Sequence, residues 1–265
     1  MSKLNVALTI AGTDPSGGAG IMADLKSFQA RGVYGMAVVT SVVAQNTQGV
    51  QDICNLDQKI LDEQLKSVFS DITPDAIKTG MLAEVETIER VSQYLNTISC
   101  PYVLDPVMVA TSGDRLISTE AVEALKEKLL PIATIITPNL PEAEVLFGKE
   151  LKDEAAILEA GKVIQSKYGV KNVVIKGGHL EKEAKDFLFL EDGEVVMFSS
   201  ERIHTKHTHG TGCTYAAVIT AELAKGKSVQ EAVGTAKHFI TEAIKNAPEL
   251  GHGNGPVNHV SYKGD

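Results

Sequence analysis

The sequence predicts an α/β fold: a mostly parallel sheet, covered by helices on both faces, with an antiparallel hairpin at one edge. Three observations lead there. Short Val- and Ile-rich runs alternate along the chain with stretches of helical spacing. The glycines, carboxylates and amides that stand out by type follow the ends of those apolar runs. One stretch, DFLFLEDGEVVMF, is two strand-like runs around Asp192-Gly193, the signature of a tight hairpin.

The elements follow in order. Residues 4–11, LNVALTIA, read as a buried strand, and the Gly-rich loop GTDPSGGAG leads into a helix through about Ala30. MAVVTSVVAQ reads as a second buried strand. Residues 57–70 place Ile60, Leu61, Leu65, Val68 and Phe69 at helical spacing. A short strand at DAIKTG, a helix near 84–97 and a strand at YVLDP come next. A helix at about 119–130, the strand TIITP, a helix over 153–168 and the strand NVVIKGG precede the hairpin. Helices at about 212–224 and 228–246 close the series. No linker, composition shift or repeat divides the chain, so residues 1–265 are expected to form one domain.

Composition narrows the function. The chain is 43% hydrophobic and 22% charged, ordinary for a globular protein. A net charge of -9 disfavours a nucleic-acid partner, whose phosphates call for basic surface, but leaves room for a small anion at a local positive site. The longest apolar stretch, VYGMAVVTSVVA, is too short for a membrane helix, and Asp14 and Pro15 interrupt the N-terminal apolar run early. Cys54, Cys100 and Cys213 are odd in number and far apart, which fits reduced thiols and a cytoplasmic setting.

Ligands of open α/β sheets bind beyond the carboxyl ends of the strands, and each loop there has two readings. GTDPSGGAG lets backbone approach a ligand closely or simply connects, and Asp24 alone reads as a solvated helix carboxylate. Gln45 pairs an acceptor with a donor, as an aminated heterocycle edge requires, or it is a turn amide. Asp105 and Glu142 end neighbouring strands and can hold Mg2+ with phosphate oxygens, or cap helices; Asn139 stands with them. Lys176 ends an apolar strand facing the same rim, or snorkels. In THGTGC, Gly210 and Gly212 free amides to meet an anion at a helix N-terminus. Cys213 in that field is expected to be more acidic than a free thiol at about 8.5; the alternative is a small packing thiol. Lys237 alone is an ordinary helix lysine.

LTIAGTDPSGGAGIMADLKSF, VVAQNTQGV, IKTGMLA, VLDPVM, TPNLPEAE, IKGGH and THGTGCT, in this order, resemble the hydroxymethylpyrimidine/phosphomethylpyrimidine kinases of thiamine biosynthesis, of the ribokinase-like superfamily. The resemblance spans roughly residues 5 to 259. It implies a three-layer αβα sandwich, ATP with Mg2+, and two successive phosphoryl transfers, to the pyrimidine alcohol and then to its monophosphate. It implies that Asp24, Gln45, Met81, Gly12 and Val42 hold the pyrimidine. On the Mg-ATP side it implies Asp105 and Glu142 for the metal and Asn139, Lys176, Thr205, Thr208 and Lys237 for the nucleotide. Gly210, Gly212 and Cys213 would act on the transferring group, with Cys where most of the superfamily has Asp. It also suggests a homodimer. The lidless pyridoxine/pyridoxal kinases are the alternative; a cysteine hydrolase using Cys213 with His207 or His209, and a non-catalytic binding protein, are more distant ones.

Overall fold

The protein is described from a computed structural model over residues 4–108, 117–177 and 183–264. Strand β1 (Val6–Ala11) leads through the glycine loop into α1 (Gly20–Ala30) and β2 (Tyr34–Val39). A ribbon of β3 (Ser41–Asn46) and β4 (Gly49–Asn55) precedes α2 (Gln58–Phe69). Then β5 (Ala76–Thr79), α3 (Val85–Leu95), β6 (Tyr102–Leu104) and α4 (Thr119–Lys128) alternate. After β7 (Ile135–Ile136) come α5 (Leu140–Phe147), α6 (Glu154–Tyr168) and β8 (Asn172–Gly177). The hairpin β9 (Glu183–Phe189) and β10 (Val195–Glu201) leads to α7 (Thr211–Ala224) and α8 (Val229–Lys245).

The main sheet runs in the order β10-β9-β8-β7-β6-β5-β1-β2. From β8 to β2 neighbouring strands are parallel, and β9 and β10 add an antiparallel edge. Alternating side chains feed two cores, one per face. Leu8, Ile10, Ile77, Leu104 and Ile136 pack with α2 to α6; Ala7, Ala76, Val103 and Ile135 pack with α7 and α8. Helix α7 is buried along its whole length after Cys213, which its run of Ala, Val, Ile and Thr permits. The sheet order reverses direction at β1, whose two neighbours are β2 and β5. That switch point opens a crevice beyond the carboxyl ends of β1 and β5.

The expected hairpin forms, its last pair Phe189 opposite Val195, with Gly193 at φ +90° in the turn. MAVVTSVVAQ is not one strand. It breaks at Thr40: β2 stays in the main sheet, while β3 leaves and pairs antiparallel with β4, a strand the hydrophobic pattern did not predict. The reason is positional. β2 is the sheet edge, and in β3 the face of Val42, Ala44 and Asn46 is exposed while Ser41 and Val43 are buried. A run of valines reads the same in a core strand and in a half-buried ribbon.

Candidate active site

Two groups of side chains meet beyond the strand ends. On one side stand Asp105 after β6, Lys176 in β8 and the tip of α7. The Thr137 hydroxyl donates to Asp105 Oδ1 at 2.9 Å, and Lys176 Nζ approaches the same oxygen at 3.3 Å. Asp105 Oδ2 is buried with no partner among the described residues. A Cβ placed on Gly212 would lie 3.4 Å from Lys176 Nζ and 3.8 Å from Asp105 Oδ2, so the bare helix tip faces both groups. Burial disfavours the charge on Lys176, but Asp105 and Glu142 outweigh it and hold its pKa above the ordinary value.

Glu142 and Asn139 form a reciprocal capping box on α5: Glu142 N–H donates to Asn139 Oδ1 at 2.9 Å, and Asn139 N–H to Glu142 Oε2 at 2.8 Å. Of the two carboxylates, Glu142 thus caps a helix, and among the described residues Asp105 caps none. Burial pushes the Glu142 carboxyl up to about 7; Lys176 opposes this and Asp105 adds to it. Among the described residues no cluster of three or more His, Cys, Asp or Glu side chains forms a ready-made metal cage. The unspent oxygen of Asp105 fits instead a cation held by one or two carboxylates and by phosphate oxygens.

The α7 tip presents bare backbone to the rim. Gly210 caps the helix at φ +78°, and a Cβ there would run into the Gly18 carbonyl, so only glycine fits. Thr211 N–H bonds to the Thr208 carbonyl and Thr214 N–H to that of Gly210. The first-turn amides that remain to face a ligand are those of Gly212 and Cys213. The Thr205 hydroxyl accepts from His207 N–H at 3.1 Å, so Thr205 and Thr208 shape the loop that delivers this tip.

Cys213 corrects an expectation. Its thiol is not acidified but pushed up to about 12. Burial is the largest cause, and Asp24 and Asp105 add to it against the opposing charge of Lys78. The partial charge of a helix end does not outweigh lost hydration beside two carboxylates. The residue remains partly exposed, and its sulfur is neutral at physiological pH. That leaves no pre-formed thiolate for a cysteine hydrolase to use as its nucleophile.

The other group lies at the β1/β5 crevice. Asp24 is not a solvated helix carboxylate; it is fully buried. Its Oδ2 accepts from Thr9 at 2.6 Å and from Lys78 Nζ at 2.9 Å, while Oδ1 has no partner among the described residues. Burial raises the Asp24 pKa, with Lys78 and Thr9 opposing. Lys78 is the residue that sequence reasoning passed over. The available signal was a lysine in a strand otherwise made for the core, since all four residues of β5 are buried. Burial disfavours its charge, yet Asp24, helped by Asp105, more than restores it and raises its pKa.

A Cβ on Gly12 would lie 2.8 Å from Met81 Cε and 3.5 Å from Val43 Cγ2, so Gly12 leaves room for those side chains. The valine over Gly12 is Val43; Val42 stands on the opposite, exposed face of the ribbon. Gln45 shares the alternation of Val43 and is partly buried. Lys237 is also corrected: its ammonium is committed to Asp186 at 3.0 Å and to the Ala184 carbonyl at 2.7 Å. Gly178 and His179 of IKGGH, and Val109 after VLDPVM, lie outside the described residues.

An anion-facing helix tip, a lysine and a free carboxylate oxygen at the rim of such a sandwich belong to a ribokinase-like phosphotransferase. The comparisons agree. The phosphomethylpyrimidine kinase family model matches residues 14–258. A hydroxymethylpyrimidine/phosphomethylpyrimidine kinase of Staphylococcus aureus is 56% identical over 265 residues, covering 99% of this chain and 96% of its relative. An ADP complex of Bacillus subtilis pyridoxal kinase aligns with a TM-score of 0.90 at 43% identity, covering 98% of each chain. A phosphomethylpyrimidine kinase of Clostridium difficile aligns with a TM-score of 0.80 at 42% identity, covering 91% of this chain and 100% of that one. The chain belongs to the phosphomethylpyrimidine kinase family.

Proposed function

We propose that the protein uses ATP to phosphorylate 4-amino-5-hydroxymethyl-2-methylpyrimidine and then its monophosphate, giving the pyrophosphate for thiamine biosynthesis. The observation that carries this reading is the convergence of the Gly212 backbone, Lys176 and the unspent Asp105 oxygen on one point of the rim. The relatives named for this activity support the choice of substrate. Asp24, Gln45, Met81 and Gly12 are assigned to the pyrimidine, with Val43 in place of Val42. Asn139, Thr205 and Thr208 are assigned to shaping the nucleotide side.

The transfer follows from these assignments. The hydroxymethyl oxygen bonds to the γ-phosphorus, the bond to the bridging oxygen breaks, ADP leaves, and the hydroxyl proton passes late to a phosphoryl oxygen and on to water. The Gly212 and Cys213 amides and Lys176 stabilise the charge on the transferring group, each donor contributing about 3 kcal/mol. A magnesium ion on Asp105, with Glu142 assisting through water, would neutralise phosphate charge. Cys213 arrives protonated, so it polarises the alcohol through hydrogen bonding rather than abstracting its proton. A loose transition state needs little help from a base.

The test is turnover: coupled ATP consumption with the pyrimidine alcohol, then with its monophosphate. Turnover of neither rejects the proposal. One observation favours a second activity, the TM-score of 0.90 to a pyridoxal kinase. Rates on pyridoxal measured side by side decide it, and Gln45→Ala should harm the pyrimidine reaction more. We also propose a single catalytic domain, a homodimer and a cytoplasmic location; gel filtration with light scattering tests the second. No helix among the described residues is long and apolar enough to cross a membrane.

A further inference from the structure

Asp14 is fully buried at the start of the glycine loop, yet no step above uses it. Its Oδ1 accepts from Ser16 N–H at 2.8 Å. Its Oδ2 accepts from Gly18 N–H at 3.1 Å and Ala19 N–H at 2.7 Å, and meets His209 Nε2 at 2.7 Å. Burial alone would raise this carboxyl, but the bonds from His209 and Ser16 hold it well below the ordinary range. Asp14 is therefore a carboxylate, an acceptor only, and His209 must carry its proton on Nε2.

His209 immediately precedes Gly210, the cap of the anion-facing helix. Its ring fills the space a Cβ on Gly18 would need, and such a Cβ would also lie 3.0 Å from Pro256 Cβ. Its backbone is gripped as well. His209 N–H donates to the Gly255 carbonyl at 3.0 Å, and its carbonyl accepts from Val257 N–H at 3.4 Å. The same C-terminal strap reaches the ribbon that carries Gln45. Asn254 N–H donates to the Thr47 carbonyl at 2.7 Å, and Gly253 N–H to the Thr47 hydroxyl at 3.1 Å. Further along, His259 Nε2 meets the Thr214 hydroxyl at 2.9 Å, one residue past Cys213.

We propose that His209 is a positioning residue. Through Asp14 and the strap of Gly253–Val257 it registers the anion-facing tip of α7 against the glycine loop and the ribbon on the acceptor side. The inference rests on the kinase reading for its catalytic consequence, though not for its geometry. A phosphoryl transfer that depends on alignment loses about a hundredfold for a displacement near 1 Å. The side chains of His209 and Asp14 bond to each other and to the glycine loop, so their loss should appear in kcat while KM changes little.

Four proteins test this with the pyrimidine alcohol and ATP: His209→Ala, Asp14→Asn, the double variant and His209→Gln. Each single variant should lose about a hundredfold in kcat, with KM for both substrates within about threefold. The double variant should lose clearly less than the product of the two single losses, because the His209–Asp14 contact is disturbed in all three. His209→Gln, which keeps an N–H donor, should regain about tenfold. The ¹H–¹⁵N resonances of Gly212 and Cys213 read the helix tip without substrate, and both single variants should shift them. A kcat within twofold of the parent, losses that multiply in the double variant, or unmoved Gly212 and Cys213 resonances each overturn the inference. If the parent turns over no pyrimidine, the kinase reading fails, and the amide resonances still decide the positioning role.

Discussion

Two buried lysine–aspartate pairs make an instructive contrast. Lys78–Asp24 closes at 2.9 Å with both side chains fully buried, and Lys237–Asp186 at 3.0 Å with 5% and 6% exposed. Local chemistry and burial are the same, and burial raises both carboxyls against the pull of their lysines. The hydrogen bonds differ. Asp186 spends one oxygen on Lys237 and the other on Gly177 N–H, and Lys237 also reaches the Ala184 carbonyl. Asp24 takes both Thr9 and Lys78 on one oxygen and leaves the other empty. A closed pair ties β9 to α8; the open one, beside Cys213, leaves a buried oxygen without a partner among the described residues. Burial and charge are alike in the two pairs, and the unspent oxygen is what separates them.

The largest effect should come from breaking either pair by half. Lys78→Met and Lys237→Met each strand a buried carboxylate and should cost about 3–5 kcal/mol in urea unfolding. A loss below about 1 kcal/mol in either would show that pair to be hydrated. A third solution to burial is to stay neutral. His259, 6% exposed, has its pKa lowered to about 4 by burial, with Lys26 adding to the effect. Its folded pKa lies below the unfolded value of 6.5, so the unfolded chain takes up the proton first as pH falls. Stability from this residue is complete above pH 6.5 and should fall by about 3 kcal/mol as pH drops toward 4. His259→Gln should flatten that slope, and an unchanged slope would assign the acid loss elsewhere.

Removing both charges sharpens the contrast. Asp24→Leu with Lys78→Met should restore most of the lost stability, yet lower kcat/KM for the pyrimidine alcohol roughly tenfold to a hundredfold, since a hydrogen bond to a charged group is gone. Asp186→Leu with Lys237→Met should restore stability with kcat/KM within about threefold. Equal activity losses in the two doubles would break the distinction between an open and a closed pair. The smallest effect is on Cys213. Lys78 is the main charge opposing its raised pKa, so Lys78→Met should slow alkylation of Cys213 severalfold at pH 9, and Lys237→Met should not.

Much of the fold was legible because it rests on local signals. The alternation of apolar runs with helical spacing gave the parallel sheet and its flanking helices, and Asp192-Gly193 marked the hairpin. At the site, Asp105, Lys176 and Gly212 stood out as residue types at strand and helix ends, and they converge. The pattern failed where neighbours decide. Val42 and Val43 are one residue apart with opposite surroundings, because the strand leaves the sheet at Thr40. Cys213 looked acidic from its place in a helix, but its pKa is set by burial beside two carboxylates.

By itself, then, the sequence determined the order of strands and helices and which unusual residues fall at their ends, since both depend on spacing along the chain. Only tertiary structure decided that Lys78 answers Asp24 across 54 positions, that Asp14 meets His209 across 195, and that Asp105 keeps one oxygen free. Hydrogen bonds, desolvation and charge act through space between segments far apart in sequence. Their outcome exists only once the sheet order has brought those segments together.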